Sequence, residues 1–209
     1  MKDINVNMPL SPEDQDILGE IGNIIMGTAS STLSMVLQQR VDINTPKVCL
    51  LTWEDLRAIY NKSAVVVRVN YKEGLRGSNV LILKERDVKI ITDIMMGGAG
   101  TVTDPVELNE MDMSAISEAM NQMVGSTATS LSAMLDRRVD ISTPAPFVVD
   151  FADDSSLAES GLMSEEAIIM VDFHMEIGEL VRSEVVQIYQ MGAAIELVTA
   201  MKESLLGQN

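Results

Sequence analysis

The fold is decided by EIGNIIMGTASSTLSMVLQQRVDINTP at residues 20–46, because a second version of this stretch, EAMNQMVGSTATSLSAMLDRRVDISTP, occupies residues 118–144. The two segments start 98 residues apart, and 12 of their 27 positions are identical. A repeat at this spacing divides the 209-residue chain into two halves of about 100 residues each. The chain is therefore expected to contain one structural unit twice.

Each half shows the same order of predicted elements. The first half begins with a helix that Ser11 caps and that runs from Pro12 to about Gln39, and the second with a helix that Asn109 caps and that ends near Asp136. Alternating or continuous apolar runs then predict strands. The predicted strands cover 40–53, 64–71 and 78–84, then 138–151, 167–176 and 179–190, and closing helices cover 85–98 and 192–204. Residues 152–166 are predicted to form a surface loop with room for a short helix.

Neither half is predicted to be stable alone, because three strands and two helices leave an uncovered sheet edge and a small core. Pairing the halves would build one larger sheet with a shared core. We therefore predict an α/β fold with pseudo-twofold symmetry, a shared β-sheet and two exposed long helices. It would form one domain over residues 1–209, with internal repeats at about 11–100 and 109–205.

Composition excludes several classes of function. A formal charge of −16 disfavours nucleic-acid binding, which needs lysine and arginine to displace counterions. The sequence shows no secretory leader and no apolar stretch long enough to span a membrane, so we expect a cytoplasmic protein without membrane insertion. One histidine and one cysteine are too few for a zinc set, and because His174 and Cys49 lie in separate strand-like runs we expect no nucleophile and base pair. We expect no metal site and no cofactor of its own.

The polar residues of the repeated helix form a stripe. In each half a small polar or acidic residue, a Glu and an Asn recur at i, i+4 and i+7, which places them on one helix face. A single Glu-x-x-Asn is ordinary on a solvated helix, and common descent of the halves accounts for the identities. However, Ile21-Gly22 is replaced by Ala119-Met120 while the Glu and Asn persist, and Asn in mid-helix has no propensity advantage. These residues are Asp16, Glu20 and Asn23 in the first half, and Ser114, Glu118 and Asn121 in the second.

The same stripe continues with small residues, which would let another surface approach closely. These residues are Gly27, Ser31 and Ser34, then Gly125, Thr129 and Ser132. A carboxylate and a carboxamide on such a surface can place a water molecule against an already reactive acyl phosphate on another protein, because phosphoryl transfer is catalysed mainly by positioning. The partner would then supply the phosphate and its metal.

The residues resemble the motif of the CheC/CheX/FliY phosphatases of bacterial chemotaxis: Asp or Ser, three residues, Glu, two residues, Asn, then twenty-two residues and Pro. Both halves fit it without a gap, ending at Pro46 and Pro144. The resemblance implies hydrolysis of the aspartyl-phosphate of the response regulator CheY at two active sites. Asn23 and Asn121 would orient the attacking water, Glu20 and Glu118 would pair with the regulator's lysine, and both prolines would shape the chain without touching substrate.

The resemblance also implies partners and a location. Phosphorylated CheY would bring the Mg²⁺ of its own active site, and CheD or flagellar switch proteins are further candidate partners. Two motifs in one chain favour a monomer, located in the cytoplasm or at the flagellar switch. Whether the chain corresponds to a stand-alone CheC or to the phosphatase core of a FliY stays open. The alternative function is a switch scaffold of the FliY or FliM type that binds CheY with little or no catalysis.

The two predicted sites differ in charge at one motif position. Ser114 is neutral where Asp16 is acidic. A phosphoryl group and the acidic pocket around it would be repelled less by the neutral residue. The sequence therefore predicts that the second site is the stronger one.

Overall fold

A computed structural model describes residues 10–60, 62–162 and 167–207. Within these ranges the helices are α1 (Pro12–Leu37), α2 (Trp53–Ile59), α3 (Glu85–Met95), α4 (Glu110–Met134), α5 (Asp154–Ser160) and α6 (Met191–Gly207). The strands are β1 (Val41–Leu51), β2 (Ser63–Glu73), β3 (Ser78–Lys84), β4 (Asp140–Ile141), β5 (Ala145–Asp150), β6 (Ile168–Ile177) and β7 (Val181–Gln190). None of the helices in these ranges has the length and apolar character needed to cross a bilayer.

The strands of both halves form one antiparallel sheet in the order β1-β6-β7-β3-β2, with β4 and β5 both paired to the outer side of β2. The first strand of each half pairs with the second strand of the other half. Val41 of β1 lies opposite Ile177 of β6, and Val149 of β5 lies opposite Ala64 of β2. This exchange confirms the predicted α/β fold with a shared sheet, and it explains why neither half has a complete sheet of its own.

The two long helices, α1 and α4, pack against each other over one face of the sheet. Their contact is symmetric: Thr28 donates to the hydroxyl of Ser130 at 3.2 Å, and Thr32 donates to the hydroxyl of Ser126 at 2.8 Å. Thr28 is the repeat equivalent of Ser126, and Thr32 is the repeat equivalent of Ser130. A twofold rotation that exchanges the halves therefore superposes one hydrogen-bonded pair on the other. The predicted pseudo-twofold relation is confirmed, and its axis passes between these helices.

Each long helix is fixed at its start by a capping box and by a lysine from the other half. Asp112, in the first turn of α4, has no exposed surface and accepts hydrogen bonds from Lys89 at 2.6 Å and from Thr92 at 2.8 Å, both on α3. Asp14, in the first turn of α1, accepts from Lys202 of α6 at 2.6 Å. The last helix of each half therefore anchors the long helix of the other half.

Asp112 makes stability sensitive to acid. Burial by itself raises the pKa of this carboxyl, but hydrogen bonds from the Asn109 backbone, Lys89 and Thr92 outweigh burial and hold the pKa below its usual 3.8. A carboxyl with a lowered folded-state pKa stabilises the protein above the unfolded-state pKa, and this stabilisation is lost as pH falls through the folded-state value. We expect Asp112→Asn to destabilise at neutral pH and to approach wild type as pH falls below 3.8 and through the lowered folded-state pKa, as measured by urea unfolding. A difference that stays constant across this range contradicts the assignment.

Two short helices lie on the other face of the sheet: α5 falls where the prediction left room for a short helix, whereas α2 was not predicted. Seven residues are too few for helical periodicity, yet α2 has a sequence signal that prediction overlooked, since Thr52 and Asp55 form a capping box. Its repeat equivalent, α5, lies inside the predicted loop at 152–166, of which residues 163–166 are outside the described ranges. The predicted strand at 138–151 is divided into β4 and β5, with the buried Pro144 between them.

Candidate functional site

The first motif lies on the outer face of α1. Asp16, Glu20 and Asn23 are all exposed, as the helical spacing predicts, while Leu18 and Ile21 on the opposite face are fully buried against the sheet. The burial of the apolar face fixes the rotation of the helix. The polar stripe is therefore held outward on a rigid element.

The first motif forms one wall of a shallow depression of about 440 Å³. Gly19 lies in its floor, one helical turn before Asn23, and the chain that enters β1 forms the opposite wall with Pro46, Lys47 and Val48. A methyl group built on Gly19 would lie 3.8 Å from Val48 and 4.0 Å from Pro46, so the helix and strand are in close contact here. Pro46, the motif proline of this half, therefore lines the same depression as Glu20 and Asn23, although it is distant from them in sequence.

The second motif forms a matching depression of about 430 Å³ on α4. Ser114 and Glu118 are exposed, whereas Asn121 is partly buried and so is less accessible than the periodicity predicts. Ala145 and Pro146 of β5 line the depression together with Asn121. Pro144, the motif proline of this half, is itself buried.

The two asparagines have unused hydrogen-bonding groups. Within the described ranges, the carboxamides of Asn23 and Asn121 and the carboxylate of Glu20 form no hydrogen bond or ion pair with the protein. Glu118 accepts one hydrogen bond, from Gln122 at 2.8 Å, and forms no salt bridge there. Each asparagine therefore keeps both a donor and an acceptor available at an open surface.

The small-residue stripe divides into a structural part and an open part. Ser34 accepts a hydrogen bond from the Val41 backbone at 3.0 Å, and Ser132 accepts the equivalent bond from Val139 at 2.9 Å, so these serines join each helix to the next strand. Gly27 and Gly125 are exposed and have open space where a side chain would stand. The glycine end of the stripe, next to the asparagines, leaves room for another surface.

Several lining residues were missed by sequence reasoning. Gly19 and its equivalent Ser117 precede the asparagines by four residues, so helical periodicity could have found them. Lys47, Ala145 and Pro146 come from the strands, and only the register of helix against sheet shows that they border the sites.

The structure also explains the replacement of Gly22, the neighbour of Asn23, by a methionine in the second half. A methyl group built on Gly22 would lie 2.9 Å from the ring of Phe173 on β6, which is closer than real contacts allow. Met120 occupies the equivalent position on α4 and is fully buried. Gly22 and Met120 thus differ because the space around the two positions differs. The residue that follows each of them is nevertheless an asparagine in both halves.

The charges that line the two depressions are more alike than the motif suggests. The first contains Asp16, Glu20 and Lys47, and the second contains Glu118 as its only formal charge. The lysine offsets one carboxylate, so the lining of each site carries a net formal charge of about −1. The argument that the second site is favoured by its neutral Ser114 therefore loses its basis.

Within the described ranges, no group of three or more His, Cys, Asp or Glu side chains is arranged to hold a metal ion. The first depression is lined by two carboxylates, two carboxamides and Lys47, and the second by one carboxylate and one carboxamide. This arrangement offers hydrogen bonds and charge to a surface that docks over it. It can orient a water molecule supplied from solvent.

Comparisons with known proteins also single out the two segments that contain the motifs. The family model described as the CheC-like family matches residues 13–50 and 111–147, which contain the two motifs. The flagellar motor switch phosphatase FliY of Bacillus subtilis is 37% identical over 195 residues, covering 93% of this chain. The chain spans 51% of the length of that relative. The CheY-P phosphatase CheC of the same organism is 24% identical over 166 residues, covering 77% of this chain and 79% of CheC.

The solved structures divide into a close relative and fold relatives. The crystal structure of Thermotoga maritima FliY superposes with a TM-score of 0.84 at 37% identity, covering 94% of this chain and 100% of that one. The middle domain of FliM from H. pylori superposes at 0.69 with 16% identity, covering 92% of this chain and 100% of that one, which shows a shared fold only. On the match to FliY over the whole of its solved chain, and on the match of the family model to both motif segments, this chain belongs to the CheC-like family.

Proposed function

We propose that this chain accelerates hydrolysis of the aspartyl-phosphate on a phosphorylated CheY-type response regulator, with one active site on α1 and one on α4. The observation that carries the proposal is the duplicated pair of an exposed glutamate and an uncommitted asparagine, each beside an open depression. The names of the FliY and CheC relatives point to the same chemistry. A scaffold would not need this pair in both halves.

The chemistry requires little from the protein. Water attacks phosphorus, a phosphorus–oxygen bond to water forms, and the bond to the aspartyl oxygen breaks, so that the aspartate leaves as a carboxylate and the water protons pass to phosphate and solvent. A carboxylate is a good leaving group, so positioning the water supplies most of the catalysis. The carboxamide oxygen of Asn23 or Asn121 would accept a hydrogen bond from that water and direct its oxygen toward phosphorus.

The glutamates would fix the docked geometry. Glu20 and Glu118 lie one turn from the asparagines on rigid helices and can each pair with a cation on the regulator, which we take to be its active-site lysine. The exposed Gly27 and Gly125 allow the regulator surface to approach the helix backbone. Asp16, Ser114, Pro46 and Pro144 would support the motif without contacting the phosphoryl group.

The remaining functional assignments belong to the same proposal. The regulator would bring its own Mg²⁺, and this chain would contribute no cofactor. A monomer can hold both sites, since both depressions lie on one chain. The name of the FliY relative favours action at the flagellar switch. Switch proteins or CheD would be further partners, and the proposed location is the cytoplasm.

The decay of radiolabelled phospho-CheY with and without this protein tests the proposal. We expect the decay rate to rise in proportion to the protein concentration while sites are limiting. Removing Mg²⁺ from the regulator with a chelator should slow the catalysed reaction and the spontaneous one together. A decay rate that is independent of this protein over a wide concentration range contradicts the proposal.

A second expected result concerns substrate choice. Phosphoserine peptides should not be hydrolysed measurably under conditions in which phospho-CheY decays, because the sites supply no nucleophile and no metal to activate a stable ester. Phosphate release from both substrates, measured with the same protein preparation, makes the comparison. Turnover of phosphoserine by chelator-treated protein would overturn the mechanism.

The alternative function is a switch scaffold that binds the regulator without hydrolysis, and the fold shared with the FliM middle domain fits it. The two functions give different results in one experiment. A scaffold would bind phospho-CheY in a pull-down or titration and leave its decay rate unchanged. A phosphatase would change the rate at concentrations that bind.

A further inference from the structure

A polar pocket lies on the sheet face opposite α1 and α4, away from both motifs. This face carries a second apolar core under α2 and α5. Polar side chains adjoin this core at a cavity that Val80 and Ile188 of the core also line. The cavity there is about 150 Å³. Its polar lining comes from three neighbouring strands and from α2, and consists of Arg68, Asn70, Ser78, Gln190 and Trp53.

Two of these side chains have incompletely satisfied donors: Trp53 has an unpaired indole N–H, and Arg68 has a guanidinium without an anionic partner within the described ranges. The indole nitrogen of Trp53 is buried, the residue being 7% exposed, and it has no hydrogen-bond partner among residues 10–60, 62–162 and 167–207. The guanidinium of Arg68 donates to the Ser160 carbonyl at 2.9 Å and forms no ion pair within the described ranges. A buried unpaired donor is costly, and most arginines of this acidic chain do form ion pairs.

The chemistry of the pocket selects its ligand. A guanidinium and an indole N–H only donate, while the amides and the hydroxyl can donate or accept, so the pocket has more donors than acceptors. Glu159, which borders the adjoining groove beside Arg68, forms no salt bridge with it. We propose that this pocket binds a small oxyanion, a phosphate or a carboxylate, with Arg68 as the charged contact and with the indole of Trp53 in the pocket lining as the reporter of binding.

The pocket gives an oxyanion both size and charge complementarity. A planar guanidinium can form two parallel hydrogen bonds to a phosphate or carboxylate, which is the strongest arrangement available to a surface arginine. The rest of the chain is acidic, so the local positive charge of Arg68 has to act at short range. A midpoint on the order of 1 mM is expected for one charged and a few neutral contacts.

The single tryptophan of the chain makes the test direct, because its indole N–H gives one peak in a ¹H–¹⁵N spectrum. Phosphate and, in a separate titration, acetate are added to the full chain at constant ionic strength, with chloride as the control salt. A saturable shift of the indole peak with either oxyanion, and none with chloride, is expected, because Trp53 lines the pocket. Saturation by phosphate alone assigns the site to phosphates, and saturation by acetate as well assigns it to oxyanions generally. No shift, or an equal shift with chloride, overturns the proposal.

Arg68→Gln should raise the midpoint about tenfold or more, because it removes the charged contact. Arg76→Gln is the matched control, since Arg76 is exposed in the β2–β3 turn and does not line the pocket. Asn70→Asp, at an exposed position on the rim, gives the same loss by charge repulsion should Arg68→Gln fail to fold. Unchanged midpoints in the folded variants would contradict the assignment. The Asn23→Ala, Asn121→Ala double variant should bind normally, which separates this pocket from the proposed active sites.

Discussion

In the double variant Asn23→Ala, Asn121→Ala, the catalysed rate of phospho-CheY decay is expected to fall by about 100-fold. The observed decay should then approach the spontaneous rate of the regulator. The loss follows from removing the group that orients water at both depressions. Misplacing a reacting group by about an ångström typically costs this much. Binding of phospho-CheY should weaken far less than catalysis, because the glutamates remain.

Each single variant should remove only the contribution of its own site. The linings of the two depressions carry equal net formal charge, so the two sites are expected to contribute to the rate within a few-fold of each other. This expectation replaces the prediction, based on the neutral Ser114, that the second site is the stronger one. Complete loss in either single variant would show that the other motif is inactive. Measuring both singles at saturating and at limiting protein separates a loss of turnover from a loss of binding.

Ser31→Ala with Thr129→Ala is the matched control for the asparagine variants. Both residues are exposed on the same helices, eight residues beyond the asparagines, and their hydroxyls bond to the carbonyls of Gly27 and Gly125 in their own helix. The control should keep nearly wild-type activity. Wild-type activity in the folded asparagine double variant would remove both asparagines from the mechanism.

Lys89→Met is expected to destabilise the protein by about 3 kcal/mol in chemical unfolding, the lower end of the range for removing one partner of a buried ion pair. The variant leaves Asp112 charged with no exposed surface, and two hydrogen bonds, from Thr92 and the Asn109 backbone, remain to it. Lys89 itself is 27% exposed, so water can enter and reduce the loss. The effect should be largest for the start of α4, where the second motif begins.

Lys202→Met is the control for this prediction. Its partner Asp14 keeps 21% of its side chain exposed, and therefore water can replace the lysine at low cost. A much smaller loss of stability is expected at this position. Equal losses at Lys89 and Lys202 would show that burial of the carboxylate does not set the energy of the pair. Hydrogen exchange at the first turns of α1 and α4 would locate each effect.

Sequence alone determined the repeat, the two long helices, the succession of the main helices and strands along the chain, and the motif residues. These features are local, since a helix cap such as Asn109, an apolar period and a fixed Glu-x-x-Asn spacing are all written within one stretch of chain. The exposure of Glu20 and Asn23 also followed from spacing, because a helix with one apolar face has only one way to bury it. The short helix α2 was missed because seven residues are too few for a period, although Thr52 and Asp55 carried a capping signal.

Tertiary structure alone decided how the halves are joined and what surrounds each site. No local pattern states that β1 pairs with β6 and β5 with β2, because strand pairing is a contact between segments distant in sequence. The same exchange brings Lys89 to Asp112 and Arg68 to the pocket of Trp53. Lys47 and Pro146 border the motifs only because the register of helix on sheet puts them there. Residue spacing fixes which side chains share a face, whereas the packing of the whole chain fixes what that face meets.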